Sequence, residues 1–286
     1  MKIVQGRILI AILSLWADFL PGASLDLVAG SEPPCVFAGA DRKIPVEWRN
    51  SSDAKVTINL RLRLYQATTA TAVRWSELPW KVLEALPEQT VLETVRVTFP
   101  EVKGETRFII KWFDESGTDR GTSPVLVYPP DLLKELKLLA GDEAIGLFDP
   151  ATVLKPLFKN LAVEFLDLEE SGVTKFSGKL AVIGPFQSDT PIRAGLEDDI
   201  AKLADKGAAV VWLQPPDDAM PGALPRPLKP TFYIVPSGRG NVLVAQASLV
   251  PELAANPLSQ QRLIQLARVA VRPEPLRLPT LNTSPR

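Results

Sequence analysis

Between residues 56 and 65 the chain reads VTINLRLRLY, with Val56, Ile58, Leu60, Leu62 and Leu64 at alternate positions and Thr57, Asn59, Arg61 and Arg63 between them. Successive side chains of a strand point to opposite faces, so this period of two predicts a strand with one buried and one solvated face. IPVEW (44–48), VLETVRVTF (91–99), TRFIIKWF (106–113) and PVLVY (124–128) continue the pattern. RNSSD, PEVKG and DESGTDRG separate them and supply residues suited to chain reversal. Residues 73–87, VRWSELPWKVLEALP, fit least and read as an inserted loop carrying a helical turn. Several short strands, regular turns and no long helix predict an antiparallel β-sandwich over residues 24–129.

After YPPD, read as a stiff linker in which Asp131 caps the next helix, the period changes. LLKELKLLA (132–140) predicts a short helix ended by Gly141, and EAIGLFD (143–149) a buried strand. Asp149-Pro150 suits the start of a helix over 151–160, with Asp as cap and Pro at the first position. AVEFLDL (162–168) is the next strand. Then comes the organising unit, residues 178–216: GKLAVIGPF, an amphipathic run with Leu196, Ile200, Leu203 and Ala204 on one face, and KGAAVVWLQPP. Strand, helix and strand in that order build a parallel sheet. A Pro-rich excursion (217–230), two strands joined by PSGRG, and a helix over 259–271 complete the segment. Residues 130–272 are therefore expected to form a mainly parallel α/β sheet with helices on both faces. The proline-bearing tail, 273–286, is expected to be disordered.

Composition narrows the chemistry. The formal net charge of −1 leaves no basic footprint for nucleic acid. The chain has no His and a single Cys, Cys35, so neither a disulfide framework nor a thiolate zinc cluster is available within it. No metal and no cofactor is expected. Cys35 reads as a small buried hydrophobe or, in an exported protein, as a thiol that pairs between chains. At the N-terminus Lys2 and Arg7 precede an apolar run from 8 to 16, with Gly22 and Ala23 beyond it. That layout predicts a secretory signal over residues 1–23 and an exported, periplasmic or extracellular location, with an uncleaved anchor or a buried N-terminal helix as the other reading. The membrane enters only through that signal.

FAGADRKIPVEWRNSSDAKVTINLRLRL resembles the opening of immunoglobulin-like accessory domains of bacterial surface proteins and secreted glycoside hydrolases. AIGLFDP, LEDDIAKLADKGAAVVWLQP and GRGNVLVAQASLV resemble the class I glutamine-amidotransferase-like, flavodoxin-type fold, and most of all its degenerate versions attached to secreted carbohydrate-active proteins. Catalytic members of that family need a Cys nucleophile, a His and an acid. No Cys follows Cys35 and no His exists, so the resemblance implies a scaffold without that activity.

In open α/β sheets ligands bind beyond the carboxyl ends of the strands. The residues expected there are Asp149, Asp167, Phe186, Gln187 and Gln214. Asp149 reads as a helix cap or as an acid. Asp167, with Glu169 and Glu170, reads as a solvated loop or as a carboxylate pair for glycosidic chemistry. Trp75 and Trp80 read as an aromatic platform for sugar rings or as a plug at one end of the sandwich. Asn50-Ser51-Ser52 has the form of a glycosylation sequon but reads more simply as a turn, as does Gly238-Arg239-Gly240. The function expected is an exported, non-catalytic binding or assembly protein of the cell envelope, with a glycan or an envelope protein as partner. The alternatives are a carboxylate-dependent glycan hydrolase and a purely structural envelope module.

Overall fold

The computed structural model describes residues 25–187, 192–214 and 232–273. The expected signal segment, the Pro-rich excursion and all but the first residue of the tail lie outside them. Eight strands come first: β1 (Leu25–Val28), β2 (Cys35–Phe37), β3 (Asp41–Asn50), β4 (Val56–Ala67), β5 (Ala72–Ala85), β6 (Thr90–Thr98), β7 (Thr106–Asp114) and β8 (Asp119–Tyr128). They form a three-stranded sheet in the order β1-β3-β6 and a five-stranded sheet in the order β2-β8-β7-β4-β5. The two sheets share one core. Leu25, Ile44, Val46, Trp48, Val95 and Val97 meet Leu60, Leu62, Leu64, Phe108, Ile110, Trp112, Val125 and Val127.

The remaining strands, β9 (Ile145–Phe148), β10 (Phe165–Asp167), β11 (Leu180–Ile183), β12 (Ala209–Gln214), β13 (Phe232–Ser237) and β14 (Gly240–Gln246), form a six-stranded sheet. Its order is β10-β9-β11-β12-β14-β13. All neighbours pair in parallel except β13, which returns antiparallel along β14. The helices are α1 (Glu135–Ala140), α2 (Leu154–Asn160), α3 (Leu168–Ser171), α4 (Leu196–Asp205) and α5 (Pro257–Val271). Alternation along the strands sends Leu147, Val182, Val211 and Leu243 into a core with α1, α2 and α5. Phe148, Ala181, Ile183, Val210 and Val244 enter a second core with α4.

These observations correct the expected fold class. Strands hold 44% of the described residues and helices 22%, in three sheets, two of which mix parallel and antiparallel pairs. An immunoglobulin-like all-β unit followed by a helix-rich α/β unit is not what forms. One reason is that β2 adds to β8 in parallel, through Cys35, Val36 and Phe37 against Leu126, Val127 and Tyr128. Another is that α1, α2 and α3 have only 6, 7 and 4 residues. The cores also run together, since Phe37 and Tyr128 belong to the cluster of Leu132, Leu136, Ile145 and Ile264. YPPD thus begins on a buried side chain, and the Tyr128 hydroxyl donates to Glu105 at 2.9 Å.

Local expectations are corrected too. Residues 73–87 are not a helical insert. They lie largely within β5, a 14-residue edge strand that pairs along β4 with two bulges, between Asn59 and Arg61 and between Leu64 and Tyr65. The bulges absorb the extra residues that hid the period of two. Asp131 makes no cap hydrogen bond; its carboxylate pairs with Lys134 at 3.1 Å. Asn50 does open the turn between β3 and β4, where the Ser52 amide donates to its Oδ1 at 3.0 Å. It is fully buried, and its Nδ2 donates to the carbonyls of Ala54 (2.8 Å), Ala85 (3.2 Å) and Leu86 (2.9 Å). In the folded chain that amide is out of reach of a glycan.

Asp114 ties the turn between β7 and β8. Its carboxylate accepts from Ser116 Oγ (2.5 Å), the Thr118 amide (2.9 Å) and both Nε (3.1 Å) and Nη2 (2.7 Å) of Arg120. The Ser116 hydroxyl, then Arg120 and the Thr118 amide, outweigh the opposing effect of burial and hold its pKa down to about 2. In the unfolded chain the group takes up its proton first as the pH falls. The stabilisation is therefore complete above about pH 4 and is lost as the pH falls through 2, and its size is on the order of 2 kcal/mol. Urea midpoints measured from pH 5 down to 1.5 should show this loss in the wild type and a flatter profile in Asp114→Asn.

Candidate functional site

Strand order reverses between β9 and β11, so the crevice expected to hold a ligand lies past Phe148 and Ile183. Asp149 follows β9 directly and is buried. Its Oδ1 accepts from the Val153 amide at 3.1 Å, and its Oδ2 from Leu154 at 2.7 Å and Lys155 at 2.8 Å. These are amides at the start of α2 that no intrahelical carbonyl can satisfy. The helix begins at Leu154, so Pro150 lies in the preceding turn and not at the first helical position.

Asp167 ends β10 and accepts from the Glu169 amide at 2.9 Å, capping α3. Lys155 sits between Asp167, at 2.7 Å, and Glu169, in contact with both. Burial raises the Asp167 pKa, but the Lys155 ammonium and the Glu169 amide more than offset it, and the carboxyl is held below its ordinary value. Burial works against the Lys155 charge, and the two carboxylates overcome it and raise its pKa. The Asp149 amide donates to Glu169 at 3.3 Å, so the predicted acids do come together. They come together around a lysine and a helix end.

Phe186 is buried against Phe148, ring centroids 6.4 Å apart, in the core beside α4. Gly184, two residues before Phe186, lets the chain pass close to the end of β12. Its φ is +91°, and a Cβ there would lie 2.4 Å from the Leu213 carbonyl oxygen. Gln187 is exposed, and half-buried Gln214 ends β12 opposite Gln246. Among the described residues no three His, Cys, Asp or Glu side chains converge as metal ligands. No helix among them is long and apolar enough to cross a membrane. Asp149→Ala should cost about 2 kcal/mol by orphaning three amides, with Asp149→Asn costing less because one oxygen remains. Thermal unfolding of the two variants checks the order.

The two predicted tryptophans do not form one platform. Trp80 is half-buried and stacks on two buried tryptophans, 4.9 Å from Trp112 and 6.4 Å from Trp48. Trp75 lies at the second bulge of β5 and is 56% exposed. Cys35 is half-buried, and burial, then Glu105 and Glu32, raise its pKa.

A different surface has the size of a ligand site. A groove of about 680 Å³ runs across the three-stranded sheet to the edge of β8. Register places Val28, Glu47 and Leu92 in one row on the outer face, with Pro45 beside Thr94. The wall is the segment Ala29–Pro34, and the far side is Thr122, Ser123 and Pro124. Leu92 is 76% exposed and Val28 37%. Among the described residues the lining holds three carboxylates, Glu32, Glu47 and Glu93, and no Lys or Arg. A trace of this site is in the sequence: in VLETVRVTF, apolar Leu92 occupies a water-facing position, and charged Glu93 a core-facing one in line with Val95 and Val97.

No protein-family model matches the chain, and no curated protein does. Among solved structures, similarity extends to the alkylpurine DNA glycosylase AlkC of Pseudomonas fluorescens, with a TM-score of 0.29 and 8% identity over 37% of this chain and 31% of that one. A β-glucosidase of Listeria innocua gives 0.27 and 14% over 37% and 16%. The sporulation control protein Spo0M of Bacillus subtilis gives 0.26 and 15% over 41% and 56%. The matched part is thus about a third or less of the first two chains' length. Similarity this slight identifies no relative and lends no support to the resemblances noted in the sequence.

Proposed function

We propose that this is an exported binding or assembly protein of the cell envelope that works without catalysing a reaction. Its working surface is the groove between the three-stranded sheet and β8. The observation that carries the reading is the use made of the acids at the strand ends. Asp149 is spent on three backbone amides and Asp167 on a cap and on Lys155. A glycosidase needs two carboxyls facing a substrate, one of them protonated, and a pKa held down by a lysine suits neither proton donation nor an open pocket. An apolar, exposed cleft with a polar rim is by contrast the usual form of a recognition site. Lys2, Arg7 and the apolar run after them support export.

The test has two arms. A fusion of residues 1–40 to a reporter active only outside the cytoplasm should give signal in a bacterial host. The mature protein should show no turnover on a panel of glycans and glycosides. Turnover abolished by Asp149→Asn or Asp167→Asn would overturn the binding reading, and a silent reporter would overturn the location.

A further inference from the structure

We infer that the groove takes an extended peptide segment of a partner protein, apolar at alternate positions and carrying Lys or Arg, laid along the free edge of β8 as an added strand. The inference rests on the binding reading above and names its partner class. Two independent observations carry it.

The first is the backbone. The Leu126 amide donates to the Pro34 carbonyl at 2.9 Å, away from β7. Pairing with β7 is regular from Thr122 to Val127, so alternate residues direct their backbone groups the same way. The amide and carbonyl of Thr122 and the carbonyl of Pro124 therefore face the groove. The partner strand on that side, β2, begins only at Cys35, opposite Leu126. Among the described residues no strand pairs with β8 at Thr122–Pro124 on that side. A guest strand continues where β2 stops, and main-chain hydrogen bonds of this kind give affinity while side-chain pockets give selectivity. Pro124, which has no amide hydrogen, limits the edge to a short pairing and guards against open-ended association.

The second is charge. Apolar contact comes from Leu27, Val28, Pro45, Leu92 and Pro124. Of the three carboxylates, Glu93 is paired with Lys81 at 2.5 Å, which leaves Glu32 and Glu47 on the rim to meet the guest. A basic guest matches this field, and an acidic one is repelled.

The probe is a fluorescently labelled peptide of alternating sequence, acetyl-KVTVKVTVK-amide, titrated with the full chain by anisotropy. Its twin has Glu for every Lys. The basic probe should bind at least about tenfold more tightly than the twin, and more weakly as salt rises. Glu32→Lys with Glu47→Lys should weaken it about tenfold and improve the twin. Thr122→Pro should remove binding of the basic probe without altering the circular dichroism, because the amide it deletes has no role in the pairing with β7. Equal binding of both probes, no binding of the basic probe at about 1 mM, or indifference to these substitutions overturns the inference. So does concentration-dependent self-association that the same substitutions abolish, which would assign the groove to a second copy. These outcomes leave the reporter and turnover assays untouched, so a failed peptide test is distinguishable from a failed binding reading.

Discussion

Trp112→Ala should lower the unfolding free energy by about 3–5 kcal/mol, the range for deleting a buried aromatic side chain. Trp112 is fully buried where the sheets meet. Its ring stands edge-on to Trp48, centroids 5.3 Å apart and planes at 88°, and tilted against Trp80. Such geometry adds attraction beyond area burial, because the edge of one ring meets the electron-rich face of another. Its Nε1 also donates to Ser123 Oγ at 3.1 Å, and Ser123 lines the groove. The substitution therefore leaves a cavity between the sheets and loosens the strand that the guest peptide would pair with. Urea denaturation followed by far-ultraviolet circular dichroism measures the loss without depending on tryptophan emission. Trp112→Phe should lose far less, and equal losses for the two would show that volume is not the cause.

Asn50→Ala should cost about 3 kcal/mol, an unusual amount for one polar side chain. The substitution removes the donor to three carbonyls, and it removes the acceptor for the Ser52 amide (3.0 Å) and hydroxyl (2.7 Å). Each buried group left without a partner carries its own desolvation penalty, and water has no easy path to replace the amide. Asn50→Asp is the sharper test. It keeps the shape but sets a carboxylate against three carbonyl oxygens, so the variant should be less stable at pH 7 than at pH 4, where the group is protonated. A variant indifferent to pH would mean that the side chain reaches water.

Much of the strand content was legible because alternation is a local property. Residues 56–65 were expected as a strand and lie in β4, and the expected helix over 259–271 lies in α5, which Asn256 caps through the Leu258 amide at 3.0 Å. Residues 73–87 were illegible because two bulges shift the phase, and a shifted phase resembles no period at all. The architecture was misread for a related reason. Whether β2 lies parallel or antiparallel to β8 is set by partners some 90 residues away, and nothing in CVF announces the choice.

The candidate site follows the same division. The acids at 149, 167 and 169 were visible as residue types, but their work depends on where α2 begins. The groove left only two residues whose polarity does not suit their side of the strand, Leu92 and Glu93, because its parts come from β1, β3, β6 and β8. The sequence by itself determined the residue inventory: no His, one Cys, alternating strands, and an apolar segment near the N-terminus. Only the tertiary structure decided which polar groups are used up in holding the fold and which backbone edge is left open. A hydrogen bond between distant segments is a fact of distance and direction, and the order of residues along a chain specifies neither until the chain has folded.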